Sequence, residues 1–172
     1  MNILLTGCAG FIGSHATDYF LSKGYKVDGV DCFTYAGNSS NIRQNYNHPN
    51  FKLFNEDICN TEKMIELCQM RSIDWVINFA AETHVDNSIK SCDAFIKSNI
   101  QGTKSLLEAC KASGAKYFHI STDEVYGDIH AGSFKEDDHL NPKNPYSATK
   151  TAAEHMVRAY ANTYGVEYLM VR

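Results

Sequence analysis

The feature that most constrains this chain is a glycine loop at its start, Thr6-Gly7-Cys8-Ala9-Gly10-Phe11-Ile12-Gly13. It lies between Asn2–Thr6, an apolar run that reads as a buried strand, and Phe11–Ser22, which has helical periodicity. A strand that enters a helix through such a loop presents free backbone N–H groups and the positive end of the helix dipole. Those are the requirements for holding a pyrophosphate. Gly7 allows the tight turn, Gly10 lets the amides approach the phosphates, and Gly13 lets the helix pack closely on the sheet. The spacing is G-x-x-G-x-x-G, a variant of the dinucleotide-binding G-x-G-x-x-G.

The strand–helix alternation continues along the chain. Lys26–Asp31, Lys52–Phe54, Trp75–Ala80, Tyr117–Ser121 and Glu167–Val171 are short apolar runs, while Thr61–Met70, Cys92–Ser113 and Pro145–Tyr164 are helical in pattern. Near-continuous hydrophobicity suits strands buried on both faces of a parallel sheet. The expected fold is therefore α/β: one Rossmann-type domain over residues 1–172, a doubly wound parallel sheet with helices on both faces. Gly24 and Gly114 fall where helices should stop, and Asn60 is placed to cap the helix that follows it. The polar stretch Gly127–Asn144, with Glu136-Asp137-Asp138 inside it, breaks the rhythm and is expected to be a functional loop. Tyr168-Leu169-Met170-Val171-Arg172 reads as a buried strand.

Composition excludes several functions. A net charge of −4 with scattered basic residues offers no footprint for nucleic acid or an anionic membrane. The apolar run Ile3-Leu4-Leu5 is too short for a signal peptide or a membrane span, so a cytoplasmic protein is expected. The six cysteines form no C-x-x-C pair and have no histidine at ligand spacing, so no metal site is expected. Most of them lie in apolar or helical stretches and are expected as reduced core thiols.

Asp31 ends the second strand, where a carboxylate accepts hydrogen bonds from both adenosine ribose hydroxyls and repels a 2′-phosphate. NAD is therefore the expected cofactor. Asp57 and Ile58, just after the third strand, are placed to flank the adenine, although an acidic residue there is as often merely solvated. Tyr146 and Lys150 lie at i and i+4 on one helix face. An ammonium beside a phenol lowers its pKa, which would let Tyr146 take a proton from a substrate hydroxyl while Lys150 binds the nicotinamide ribose. Thr122, at the end of the fifth strand, could hold that hydroxyl. The consecutive carboxylates Asp123 and Glu124 supply an extra acid and an extra base, which water elimination needs and simple dehydrogenation does not.

These residues, together with Tyr35-Ala36-Gly37-Asn38, Phe79-Ala80-Ala81-Glu82-Thr83-His84-Val85-Asp86 and Asn99-Ile100-Gln101-Gly102-Thr103, resemble a known family. The chain looks like the N-terminal half of the extended short-chain dehydrogenase/reductases, and within them the nucleoside-diphosphoglucose 4,6-dehydratases of dTDP-glucose type. The resemblance implies further cofactor contacts at Thr34, Phe79, Ala80, Ala81 and Ser98, and places His84 at the sugar-nucleotide cleft. It also implies a cycle of chemistry. Tyr146 deprotonates the C4 hydroxyl as C4 is oxidised, Glu124 removes the C5 proton, and Asp123 protonates the departing C6 hydroxyl. The hydride borrowed by NAD then returns to C6.

Two positions depart from the pattern: Cys32 stands where the dTDP-glucose enzymes often carry lysine, and the loop before Tyr146 is shorter than in many relatives. The family continues into a second region that grips the nucleotide and most of the sugar. The chain is therefore expected to be a fragment or a truncated form lacking that substrate part. A UDP-glucose 4,6-dehydratase stays open as an alternative, as does an NAD-binding module without turnover. A 4-epimerase or decarboxylase is argued against by the Asp123–Glu124 pair. A homodimer is implied through the helices Cys92–Ser113 and Pro145–Tyr164. Leu106, Leu107, Ala109, Ala152, Met156 and Tyr160 would either form that bundle or pack on the sheet.

Overall fold

A computed structural model describes all 172 residues. Six strands form one parallel sheet in the order β3-β2-β1-β4-β5-β6: β1 Asn2–Thr6, β2 Lys26–Asp31, β3 Phe51–Asn55, β4 Trp75–Asn78, β5 Lys116–Ile120 and β6 Tyr168–Val171. The helices are α1 Phe11–Ser22, α2 Thr61–Met70, α3 Val85–Lys90, α4 Asp93–Phe95, α5 Thr103–Ser113 and α6 Pro145–Tyr164. Winding runs outward from β1 in one direction and from β4 in the other, so a crevice opens beyond the C-terminal ends of these two central strands.

Two cores explain the strand composition. Ile3 and Leu5 of β1 point into a cluster with Leu21 of α1, Val27 and Ile77. Leu4, between them, points the opposite way into a larger cluster with Met64 of α2, Leu106 of α5 and Val157 of α6. Alternate side chains thus enter different cores, and the strand must be apolar at every position. Asn60 caps α2 by accepting the Lys63 N–H, and Gly24 and Gly114 adopt the left-handed conformation at φ +78° and +77°.

The structure corrects several expectations. The long helix expected over Cys92–Ser113 changes register at a π-helical segment, Ile96–Gly102, between α4 and α5. Helix α3 and the 3₁₀ turns Ser39–Asn45 and Asp123–Tyr126 were not legible, being too short to show a period. Within these 172 residues the last strand is not buried: Tyr168, Leu169 and Val171 are 37%, 55% and 46% exposed. Leu106, Leu107, Ala109 and Tyr160 pack in the larger core and are not available to pair with a second copy. Of the cysteines, Cys8, Cys68 and Cys110 are buried thiols, whereas Cys32 is exposed and Cys59 and Cys92 are half-buried. No helix is long and apolar enough to cross a membrane.

Candidate functional site

A cleft of about 420 Å³ occupies the crevice. Its wall includes Gly7, Gly10, Phe11, Ile12, Gly13, Asp31, Thr34, Asp57, Ile58, Phe79, Ala80, Ala81, Ser98, Tyr146 and Lys150. The loop glycines differ in why they must be glycine. Gly7 has φ +68°, and a Cβ there would sit 2.7 Å from the Ala80 amide nitrogen at the end of β4. A Cβ on Gly13 would lie 2.0 Å from the Gly7 carbonyl oxygen, so the first turn of α1 rests on the loop itself. At Gly10 the nearest atom is 3.3 Å away, which leaves the loop open on the cleft side. No side chain caps α1, so its first-turn N–H groups remain for a ligand.

Asp31 is held rigidly at the edge of this cradle. Its Oδ2 accepts the Ala9 N–H at 2.9 Å and its Oδ1 accepts the Phe33 N–H at 2.8 Å. Each carboxylate oxygen keeps a further lone pair for a ligand hydroxyl. Gly37 packs on the same group, since a Cβ there would meet Asp31 Oδ1 at 2.6 Å. Asp57 forms an ion pair with Lys97 at 2.8 Å and accepts the Cys59 N–H at 2.9 Å. Burial pulls its carboxyl upward, but these partners outweigh it and hold the group below the usual carboxylate range.

The other end of the cleft holds Tyr146 and Lys150, whereas Thr122, Asp123 and Glu124 are not part of its wall and lie on the turn that follows Ser121. Lys150 is only 5% exposed, and its Nζ donates to the Ile120 carbonyl oxygen at 2.6 Å. Burial pulls its pKa down to about 8, against the opposing charge of Glu154. Tyr146 does not show the lowered pKa expected from its lysine neighbour. Its phenol is raised, first by burial and then by the charges of Glu124 and Asp123, while the Thr122 hydroxyl within hydrogen-bonding reach opposes them. Burial is the main cause, the charges of Glu124 and Asp123 add to it, and the ammonium is turned to the Ile120 carbonyl. Thr122 begins the 3₁₀ turn, its Oγ1 accepting the Glu124 N–H at 3.3 Å. Asp123 is exposed, and Oε2 of Glu124 accepts a hydrogen bond from Asn144 Nδ2 at 2.9 Å. His84 is exposed at the start of α3 and is not part of the cleft wall.

Several residues around this cluster escaped the sequence reading. Ser88 of α3 accepts the Tyr146 N–H at 3.2 Å, satisfying a first-turn donor of α6. Asn99, in the π-helical segment, clasps Glu82 by accepting its N–H at 2.9 Å and donating to its carbonyl at 3.0 Å, and also donates to Thr149 Oγ1 at 3.0 Å. Glu154 is fully buried and accepts from Ser121 Oγ at 2.6 Å and from both ends of the Arg172 guanidinium at 2.9 and 2.7 Å. Arg172 also donates to the Tyr126 hydroxyl and to the Glu136 carbonyl, tying β6, α6 and the long loop together. Only Asn144 left a local signal: Asn-Pro-x-Ser is a helix start with a cap and a proline in the first turn.

Residues 4–172 match the profile of the family described as GDP-mannose 4,6 dehydratase. Over 174 residues the chain is 44% identical to the low-salt glycan biosynthesis protein Agl12 of Haloferax volcanii, an alignment covering 100% of this chain and 56% of that protein. It is 42% identical over 178 residues to RHM1 of Arabidopsis thaliana, a trifunctional protein whose name includes UDP-glucose 4,6-dehydratase; 99% of this chain and 27% of that one are covered. Among solved structures, DesIV of Streptomyces venezuelae, a dTDP-glucose 4,6-dehydratase crystallised with NAD, superposes with a TM-score of 0.95 at 37% identity. That match covers 99% of this chain and 54% of DesIV. The chain thus spans about half the length of the Haloferax and Streptomyces proteins.

Proposed function

The chain belongs to the GDP-mannose 4,6 dehydratase family, and from that premise we propose that it is the NAD-binding part of a nucleoside-diphosphoglucose 4,6-dehydratase acting on dTDP-glucose. One observation carries the reading: Thr122, Asp123 and Glu124 share the turn that follows β5, near enough to Tyr146 for Thr122 to hydrogen-bond its phenol and for both carboxylates to act on it by charge. An oxidising pair beside a separate acid and base is the outfit of an elimination.

The cradle fits NAD. The uncapped start of α1 and the open side of Gly10 would take the pyrophosphate, Asp31 the adenosine ribose, Asp57 and Ile58 the adenine, and Lys150 the second ribose. NAD bound there would supply the oxidant for C4 and the reductant for C6. Tyr146, once it has given up its own proton, would receive the C4 hydroxyl proton as the phenolate, with Thr122 holding that oxygen. The ketone formed acidifies the C5 proton, which Glu124 would remove as Asp123 donates a proton to the leaving C6 hydroxyl. One water departs, and a 4-keto-6-deoxy sugar remains. His84 would meet the sugar nucleotide from the start of α3.

Incubation of the full-length protein with dTDP-glucose, without added reductant, should yield a product lighter by one water in a mass spectrum. A product of unchanged mass, or release of carbon dioxide, would sink the reading. Glu124→Gln should still oxidise C4, so that reduced nicotinamide builds up without dehydration. UDP-glucose is the second substrate reading, supported by the 42% identity to the Arabidopsis protein, and the same assay with both nucleotides decides between them. The reading includes a cytoplasmic homodimer. Because Leu106, Leu107, Ala109 and Tyr160 are buried, pairing would fall to the half-exposed Ala152 and Met156 and the outer faces of α5 and α6. Sedimentation as a monomer at micromolar concentration would count against it.

A further inference from the structure

The start of α6 does more than begin a helix. Asn144 Oδ1 accepts the Ser147 N–H at 2.8 Å, and Ser147 Oγ accepts the Asn144 N–H at 3.3 Å, a reciprocal cap. The same side chain turns its Nδ2 outward to donate to Glu124 Oε2 at 2.9 Å. The orientation of the amide follows from the partners: the helix N–H needs an acceptor, and the carboxylate needs a donor. Asparagine supplies both at once. Aspartate would cap equally well but oppose a carboxylate, and serine would cap without reaching it. Oε1 of Glu124 takes no hydrogen bond and stays free. The helix so capped carries Tyr146 and Lys150 in its first turns.

We propose that Asn144 is a positioning residue that ties Glu124 to the cap of α6, fixing the base for the C5 proton relative to Tyr146. The proposal rests on the dehydratase reading. Binding one oxygen leaves Glu124 a single free oxygen with a fixed direction, and holds the carboxylate to the helix that carries the Tyr146 phenol. A flexible carboxylate would reach the carbon-bound proton in only a fraction of its conformations.

The test uses the full-length protein and the variants Asn144→Ser, Asn144→Asp and Asn144→Ala. Melting temperature reports the cap: it should hold for the serine and aspartate variants and fall for alanine. Incorporation of solvent deuterium at C5 reports the tether. It should slow about ten- to a hundredfold in Asn144→Ser, the loss expected for a hydrogen bond to a charged group. It should slow further in Asn144→Asp, with reduced nicotinamide accumulating because C4 oxidation continues. Wild-type exchange in a normally stable Asn144→Ser would overturn the proposal and leave Asn144 a cap alone. If the wild-type protein exchanges no C5 proton, the dehydratase reading falls by itself. The tether is then judged from crystal structures, where a Glu124 carboxylate unmoved in Asn144→Ser overturns it and a displaced one supports it.

Discussion

Gly13 and Gly24 show that two glycines can be required for unrelated reasons. A Cβ at Gly13 would collide with the Gly7 carbonyl at 2.0 Å, whereas Gly24 has nothing within 4 Å and only a positive φ. Gly13→Ala should cost about 1–3 kcal/mol through overpacking and weaken NAD binding at least about tenfold, because the loop must move. Gly24→Ala should cost about 1–2 kcal/mol of backbone strain and leave NAD affinity unchanged. Calorimetric titration beside thermal melts separates the two. His119 offers a pH test. It is buried on β5, and burial, then the charge of Lys150, depress its pKa from 6.5 to about 3. As pH falls through 6.5 the unfolded chain takes a proton that the folded one refuses until about 3, so stability is lost across that window. The slope is about 1.4 kcal/mol per pH unit for one proton. His119→Leu should remove about one proton from the uptake on unfolding near pH 5, read from urea unfolding at a series of pH values. An unchanged slope would refute the assignment.

Among the elements, α6 is the hub. It is capped by Asn144, touched by Ser88 of α3 and Asn99 of the π-helical segment, and bonded to β6 through Glu154 and Arg172. Removing one member of a buried pair strands the other's charge. Glu154→Ala should therefore destabilise by about 3–5 kcal/mol, and a Glu154→Met, Arg172→Met double variant by much less. Equilibrium denaturation checks both, and equal losses would mean that the pair is worth little. How readable each element was follows from its length. The helices α1, α2 and α6 show their periodicity over several turns, and Asn60 marks the start of α2. Helix α3 has six residues, and the π-helical segment departs from its neighbours by hydrogen-bond register alone. Neither leaves a pattern in the order of side chains.

For the whole molecule, the cleft gathers residues from α1, β2, β5 and α6 and from the segments that follow β1, β2, β3 and β4, so ligand binding is a property of the assembled sheet. A ligand that binds only the folded form stabilises it, by about 2.7 kcal/mol at a hundredfold excess over Kd. NAD should thus raise the thermal midpoint of the full-length protein, and Asp31→Ala should abolish most of that rise, with the ligand-free midpoint falling too because the Ala9 and Phe33 N–H groups lose their acceptor. A midpoint indifferent to NAD would contradict the cofactor reading.

The order of residues by itself determined the alternation of strands and helices, the glycine cradle, and the Tyr146–Lys150 spacing. These are local properties: side-chain period, backbone sterics and helical rise act over a few residues. Tertiary structure alone decided which charges face one another. Lys150 meets the Ile120 carbonyl, Tyr146 meets Glu124 and Asp123, and Glu154 meets Arg172 across three separate elements. The protonation behaviour of the site depends on distances and burial that exist only once the sheet has closed the crevice.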